Sequence, residues 1–222
     1  MSELRFLGHA AFELKIGGKT ILFDPWIDGN PQSPLASPDD IDSADIVLVT
    51  HDHADHGFDD AVSIAKRARA TVVAVAELAN RFRDEGITQV VSGNIGGTIG
   101  TGGIRITFVP AIHSCGVGVP CGFIVRHPDI SLYHAGDTAL FSDMAFLAEE
   151  KIDVALLPIG GTFTMDIRAA ARAVELIRPK TVIPMHYGTF PAIVADTIEF
   201  SRLVGTRART KELVPGSVLS LR

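Results

Sequence analysis

Residues 45–57 place the strongest constraint on the fold and the site that this chain can form, because an apolar run leads directly into a cluster of candidate metal-binding side chains. The β-branched run over residues 46–49 is typical of a buried strand. Immediately after Thr50 the sequence reads H-D-H-A-D-H-G, which places four candidate ligands within six positions: His51, His53, Asp55 and His56. The pattern therefore predicts a metal site at the end of this strand.

The spacing within this cluster favours two metal ions rather than one. Residues i and i+2 of an extended segment point to the same side, so His51 and His53 can bind a single cation. Asp55 and His56 turn away from them as a helix begins near Gly57, so they can bind a second cation. A tetrahedral or five-coordinate ion needs more than two protein ligands, and the others must come from elsewhere in the chain.

Three later strand ends supply the missing ligands. The predicted strands over residues 104–109, 131–134 and 181–184 are followed by His113, Asp137 and His186, respectively. Loops on a rigid scaffold can meet at a common site, so we expect two groups of ligands with Asp137 as the bridge between them. The groups are His51, His53 and His113 for one metal, and Asp55, His56 and His186 for the other.

Such a ligand set predicts a hydrolase. Open coordination positions are typical of catalytic metal sites, whereas structural zinc sites are closed and usually rich in sulfur. Two cations about 3.5–4 Å apart lower the pKa of a shared water from about 15.7 towards 7 and polarise a carbonyl or phosphoryl oxygen. We expect a metal-bridging hydroxide that attacks a small-molecule ester, lactone or phosphoester. Zinc is the expected metal for imidazole and carboxylate ligands, and manganese or iron also fit.

Residues before the cluster predict the surroundings of the site. Asp24 ends a predicted strand and can orient a ligand histidine by accepting its second N–H. His9 lies at the junction of the first two strands, where a place in the pocket wall and a place in the core are both open. Residues 25–44 lack periodicity and contain four prolines, which predicts a long loop. Trp26 and Asn30 are candidates for the pocket wall, the alternative being a packed surface loop.

The remaining pattern predicts an α/β fold in one domain spanning residues 1–222. An all-β start over residues 4–23 is followed by alternating helices and strands. Residues 92–103 carry six glycines but lack the G-K-[ST] ending of a phosphate-binding loop, so we expect turns of a β-hairpin there. A strand is expected over residues 87–91. Later helices are expected over residues 141–150, 166–177 and 192–204, before a closing pair of strands.

Composition and charge restrict the partners. A length of 222 residues with 46% hydrophobic and 21% charged content is ordinary for a compact fold. The net charge of −6 argues against nucleic acid and against an anionic membrane surface, which usually meet a basic patch. Cys115 and Cys121 form no disulfide framework, and the N-terminus has no signal-peptide pattern, so a cytoplasmic protein is expected. The oligomeric state is left open.

The complete ligand pattern resembles the metallo-β-lactamase superfamily from end to end. Shorter motifs resemble the UPF0173-type metal-dependent hydrolases, which are related to L-ascorbate-6-phosphate lactonase. These motifs are L-G-H-A at 7–10, D-P-W at 24–26, G-N-P at 29–31, Y-H-A-G-D-T at 133–138 and I-G-G-T-F-T-M-D at 159–166. The resemblance implies a four-layer αββα sandwich with a dinuclear site at one edge. It also implies that Asp55 protonates the leaving group, and it adds Thr162 to the pocket candidates.

Two other functions are compatible with these residues. The first is a nuclease or phosphodiesterase of the same fold, which the acidic balance and the short chain disfavour. The second is a regulatory protein that binds metal without catalysis, which the open ligand set disfavours. The diiron flavoproteins of the superfamily carry Glu where His53 stands, so an oxygen-reducing site is not expected.

Overall fold

Fourteen strands within residues 2–221 build two mixed sheets of seven strands each in this computed structural model. In chain order they are β1 (Ser2–Gly8), β2 (Ala11–Ile16), β3 (Lys19–Phe23), β4 (Ile46–Leu48), β5 (Thr71–Val75), β6 (Val90–Gly93), β7 (Thr98–Thr101), β8 (Ile104–Pro110), β9 (Cys121–His127), β10 (Ile130–His134), β11 (Val154–Pro158), β12 (Thr181–Met185), β13 (Arg209–Thr210) and β14 (Val218–Leu221). Residues 2–221 are the part of the chain that the structure describes.

Each sheet has an antiparallel half and a parallel half. The first sheet has the order β14-β1-β2-β3-β4-β5-β6 and becomes parallel from β3 onward. The second has the order β13-β12-β11-β10-β9-β8-β7 and is parallel from β10 to β13. Parallel strands need covered faces, and β4, β10 and β11 are accordingly buried along their whole length.

Four α-helices accompany the sheets: α1 (Phe58–Ala68), α2 (Ala76–Asp84), α3 (Ile167–Ile177) and α4 (Thr197–Val204). Short 3-10 helices span Pro38–Asp40, Ala54–His56, Ser142–Glu150 and Pro191–Ile193. Asp166 starts α3, because its carboxylate accepts hydrogen bonds from the first free backbone amides of the helix. The helical spacing of Ala170, Val174 and Ile177 then buries one apolar face.

The core lies between the two sheets. Phe23 of the first sheet stacks on His134 of the second, with ring centroids 5.1 Å apart and planes within 4°. His134 donates from Nε2 to the Ala10 carbonyl at 2.8 Å and accepts at Nδ1 from the Gly136 amide at 3.1 Å. The bond from Nε2 therefore links the two sheets, and Nδ1 is satisfied within the loop that follows β10. The predicted fold class, two mixed sheets with helices in an α/β sandwich, is confirmed.

Two helix boundaries differ from the expectations for local reasons. The helix expected over residues 141–150 is a 3-10 helix, with i to i+3 hydrogen bonds such as Met144 N to Phe141 O. The helix expected over residues 192–204 is interrupted, because the carboxylate of Asp196 accepts from Glu199 N and caps a new helix at Thr197.

The strand expectations need two corrections. Strand β6 begins at Val90 rather than at residue 87, because the Ile87 amide still bonds to Phe82 O at the end of α2. The last two strands do not pair with each other. Strand β13 extends the second sheet beside β12 and β14 extends the first beside β1, so each covers a different sheet edge. The expected hairpin is present as β7 and β8, joined by Gly102 and Gly103.

Gly57 lies against the backbone of the long loop over residues 25–44, and a substitution can test this contact. Its φ is +69°, and an added Cβ would lie 2.4 Å from Trp26 N and 2.5 Å from Pro25 C. We expect Gly57→Ala to lower the free energy of unfolding by about 2–5 kcal/mol, the sum of left-handed strain and overpacking. Urea unfolding of the metal-free protein measures this loss.

Gly86→Ala is the matched control for Gly57→Ala. Gly86 has a φ of +84°, but no atom lies within 4 Å of its added Cβ. This substitution should therefore cost only the backbone strain, about 1–2 kcal/mol. Equal losses in the two variants would show that the contact between Gly57 and the loop backbone has no energetic weight.

Candidate metal centre

Loops that follow strands of both sheets carry the candidate residues to one rim. His51 and His53 follow β4, and Asp55 and His56 lie in the 3-10 helix that comes next. His9 follows β1, His113 follows β8, Asp137 follows β10 and His186 follows β12. Since the strands are fixed by the core, the loops hold these side chains in defined positions.

Strained backbone is concentrated at this rim. Within residues 2–221, seven non-glycine residues have a positive φ. Three of them, Arg69, Lys151 and Arg178, are ordinary left-handed C-caps of helices. The other four are His9, Asp24, Thr162 and His186, with φ between 40° and 57°. All four are residues that the sequence nominated for the site, and such strain persists where the surrounding structure fixes it.

The candidate ligands form two groups, and the donor atoms of each group lie within 4.8 Å of one another. The first group is His51, His53, His113 and Asp137, which matches the expected composition. The second group is His9, Asp55, His56 and His186, so the structure adds His9 to the three expected residues. His9 is completely buried, but it lies at the metal rim rather than within the hydrophobic core.

Short distances connect the members of the first group. His51 Nε2 lies 3.0 Å from His53 Nδ1, so the two imidazoles direct different ring nitrogens towards each other. His113 Nε2 lies 3.4 Å from Asp137 Oδ2. The segment after β4 and the loops after β8 and β10 therefore converge on one point.

Asp137 also reaches the second group. Its Oδ2 lies 3.0 Å from His186 Nε2, and its Oδ1 lies 3.3 Å from His56 Nε2. Asp55 Oδ2 lies 3.3 Å from His9 Nε2 and 3.9 Å from His186 Nε2. One carboxylate thus lies between the imidazoles of both groups, while the other lies within the second.

Burial and charge set the protonation of these groups. Burial lowers the pKa of His9 to about 4, lowers the pKa of His51 further and lowers that of His113 as well. Burial would also lower the pKa of His56, but Asp137 and Asp24 hold it well above its usual value. Burial would raise the pKa of Asp137, but His56 and His186 hold it well below its usual range. The two pKa values shift in opposite directions because His56 Nε2 and Asp137 Oδ1 lie only 3.3 Å apart.

Asp24 orients two of the candidate ligands, His56 directly and His51 through Thr50. Its Oδ2 accepts from His56 Nδ1 at 2.8 Å and from the Thr50 hydroxyl at 2.7 Å, and its Oδ1 accepts from Thr50 N at 2.8 Å. Because the Thr50 proton goes to Asp24, Thr50 Oγ1 must accept from His51 Nδ1, 3.0 Å away. Asp24 therefore directs the lone pairs of His56 Nε2 and His51 Nε2 towards the rim.

Asp52 is a site residue that the sequence analysis missed. Its Oδ1 accepts from Gly116 N at 2.7 Å, and its Oδ2 accepts from Arg81 Nη1 at 2.9 Å. It thereby ties the segment of His51 and His53 to the loop that carries His113. Alternation along an extended segment indicates that Asp52 points away from its two histidine neighbours, but no local pattern identifies Gly116 or Arg81 as its partners.

The predicted pocket residues take different positions. Trp26 is half-buried, and its ring meets His9 edge-on at 5.2 Å. Asn30 is buried and shapes the loop from within, donating to Trp26 O at 3.0 Å and accepting from Gln32 N at 2.9 Å. Thr162 is exposed, and its hydroxyl donates to Ala192 O at 2.8 Å, which ties two rim loops together. Of the three, Trp26 is the one in ring contact with a candidate ligand.

A two-sheet sandwich with paired His and Asp groups on one rim defines an α/β-sandwich protein with a candidate two-metal site. A family model described as "Beta-lactamase superfamily domain" matches residues 3–186. A UPF0173 metal-dependent hydrolase of Thermofilum pendens is 50% identical over 222 residues and 96% of both chains, and one of Caldivirga maquilingensis is 48% identical over 100% of this chain and 99% of its own. The chain belongs to the beta-lactamase superfamily and, within it, to the UPF0173 metal-dependent hydrolases.

A solved structure supports the same assignment. Igni18, described as a novel metallo hydrolase from the hyperthermophilic archaeon Ignicoccus hospitalis, superposes with a TM-score of 0.92 at 39% identity, over 98% of this chain and 97% of its own. The expectation of a metal-dependent hydrolase is confirmed. No helix within residues 2–221 combines the length and apolar character needed to cross a membrane.

Proposed function

We propose that this hydrolase binds two divalent metal ions and cleaves a small ester, lactone or phosphoester. The main observation behind this proposal is the position of Asp137. Its Oδ2 lies 3.4 Å from His113 Nε2 in one group and 3.0 Å from His186 Nε2 in the other. A carboxylate between two sets of imidazoles has the donor arrangement of a bridging ligand. The first ion would be held by His51, His53, His113 and Asp137, and the second by Asp55, His56, His186 and Asp137.

Unpaired buried atoms support the fit of metal ions to these residues. Within the described chain, His56 Nε2, His186 Nε2 and Asp137 Oδ1 are buried without a hydrogen-bond partner. Each such atom costs about 1–3 kcal/mol when unsatisfied, and all three face the shared rim. Imidazole and carboxylate donors suit zinc, which we propose as the metal, and they also accept manganese or iron.

The chain's own residues account for substrate access and proton transfer. The bound ions supply water of lowered pKa and stabilise charge on the substrate's carbonyl or phosphoryl oxygen. The side chain of Asp55 is 27% exposed, against 3% for Asp137, so a substrate can reach it. Asp55 accepts the proton that water loses as it attacks, and it delivers this proton to the oxygen that leaves when the ester bond breaks.

Apolar side chains near the rim favour esters and lactones within this substrate class. Ile112 precedes His113 and is 53% exposed, and Phe163 in the loop after β11 is 60% exposed. The Phe190 ring lies 5.8 Å from that of His9 and 5.9 Å from that of Trp26. Such side chains bury the apolar part of a small substrate, whereas strong phosphate binding usually adds arginine or lysine.

Metal reconstitution tests this proposal. The protein is stripped with a chelator and reloaded stepwise with zinc, manganese or, without oxygen, iron, and hydrolysis is followed on a panel of esters, lactones, thioesters and phosphodiesters. We expect turnover of an ester or lactone to rise until two equivalents are bound, and no cleavage of single-stranded RNA or DNA. Saturation at one equivalent, or no turnover of any panel member with two ions bound, would refute the proposal.

A further inference from the structure

His9 lies in a turn whose backbone is strained. It follows Gly8 between β1 and β2, and its own φ is +57°. Its side chain is completely buried, and its ring lies 4.0 Å from that of His186. His9 O also accepts from His186 N at 2.8 Å, which couples the backbones of two strained residues. The ring is thus fixed beside a candidate ligand.

The hydrogen bonds around His9 determine its tautomer. Gln32 donates from Nε2 to Tyr187 O at 3.0 Å, so its Oε1 is an acceptor, and it accepts from His9 N and from the Thr189 hydroxyl at 3.1 Å each. Thr189 has only one hydroxyl proton, and Gln32 takes it. Thr189 Oγ1 must therefore accept from His9 Nδ1, which lies 2.8 Å away.

This assignment leaves a lone pair on His9 Nε2. The atom is buried and, among residues 2–221, has no hydrogen-bond partner. Asp55 Oδ2 lies 3.3 Å away. With the ring proton on Nδ1, this lone pair and the carboxylate oxygen repel each other, and either a proton or a metal cation between them removes the repulsion.

His51 shows the same arrangement. There the Thr50 hydroxyl donates to Asp24 and accepts from His51 Nδ1, which directs Nε2 to the first metal group. For His9 the Thr189 hydroxyl donates to Gln32 and accepts from His9 Nδ1. Metal-binding histidines usually donate their other N–H to a fixed acceptor, so both threonines have the role of such an acceptor.

We infer that His9 is a protein ligand of the second metal ion, through Nε2, and that Thr189 and Gln32 fix it for this role. The inference rests on the proposed two-ion function and goes beyond it, because His9 joins Asp55, His56, His186 and the bridging Asp137. The second ion then has five protein donors and the first has four. The two positions would therefore differ in the number of protein donors as well as in their composition.

Metal affinity tests the inference without reference to activity. Binding constants for zinc and cobalt(II) are measured by competition with a chromophoric chelator in the wild-type protein, in His9→Ala and in Thr189→Val. We expect one of the two constants to fall about 10–100-fold in Thr189→Val, the range for residues that support a ligand, and at least as far in His9→Ala. The visible absorption of the cobalt(II) protein should become more intense in His9→Ala, because lower coordination numbers absorb more strongly.

Thr98→Val is the matched control, since the Thr98 hydroxyl bonds to Thr107 Oγ1 at 2.8 Å in the exposed β7–β8 hairpin. It should leave both constants unchanged. Thr189→Val keeps the imidazole and the size of the side chain, so it decides the matter if His9→Ala fails to fold. If the wild-type protein binds two equivalents of metal and neither His9→Ala nor Thr189→Val changes either binding constant, the role of His9 is refuted and the two-ion proposal is not. If the wild-type protein binds only one equivalent of metal, the two-ion proposal is refuted, and there is no second ion for His9 to bind.

Discussion

Asp137→Asn should lower kcat/KM by a factor on the order of 1,000 and reduce the bound metal from two equivalents to one or none. The amide keeps the size of the side chain but removes the negative charge that lies between two imidazole groups, and a preorganised charge of this kind contributes about 10²–10³-fold to turnover. The measurement combines kinetics on the ester or lactone found by metal reconstitution with elemental analysis of the same sample.

Asp129→Asn provides the comparison for Asp137→Asn. Asp129 follows β9 in a turn, and its side chain is 63% exposed and 3.3 Å from His127. Loss of this charge should change neither the metal content nor kcat/KM. If Asp137→Asn retained both metals and full turnover, Asp137 would not be a bridging ligand.

The sequence predicted most of the candidate ligands because each of them follows a strand. The apolar run before His51 and the strands before His113, Asp137 and His186 are local patterns, and ligands that leave strand ends share a rim once the sheets pack. The same reasoning predicted the role of Asp24, since the end of β3 lies next to the end of β4 in a parallel pair. Local pattern was therefore sufficient for these residues.

The support of His9 depends on contacts that no local pattern contains. Gln32 and Thr189 are separated by 157 positions, and His9 and Thr189 by 180. A threonine that follows β12 and a glutamine in an aperiodic loop look like ordinary polar surface residues until the two sheets bring them together. The role of His9 was left open in the sequence for this reason, and the hydrogen bonds of its neighbours resolve its tautomer.

The boundaries that the sequence misplaced reflect competition between similar local structures. Residues 142–150 fit both an α-helix and a 3-10 helix, and apolar spacing does not distinguish i+3 from i+4 hydrogen bonds over so short a segment. The last two strands have strand-like residues, but their pairing depends on which sheet edges remain open. Edge availability is a property of the assembled sheets and is absent from the local sequence.

Asp24→Asn should be the most destabilising single substitution near the site. Asp24 is completely buried and accepts from Thr50 N, the Thr50 hydroxyl and His56 Nδ1, each within 2.8 Å. Whichever way the amide is placed, its NH₂ group faces a donor, and His56 loses one of its two carboxylate partners. Removal of one member of a buried charged pair costs about 3–5 kcal/mol, so urea unfolding of the metal-free protein should show a loss of this size.

The backbone does not confound this substitution, because Asn tolerates the positive φ of Asp24 as well as Asp does. Asp45→Asn is a suitable control, since Asp45 also accepts from a backbone amide, Thr20 N at 2.9 Å, and from Lys19 at 2.7 Å, but its side chain is 35% exposed. An exposed pair of this kind contributes about 1 kcal/mol or less. In Asp24→Asn the metal affinity should also fall about 10–100-fold, because His56 loses the carboxylate that accepts from its Nδ1 and the Thr50 hydroxyl, which accepts from His51, loses the carboxylate that holds it in place. Equal unfolding energies for the two variants, with wild-type metal affinity in both, would mean that Asp24 neither stabilises the rim nor directs its ligands.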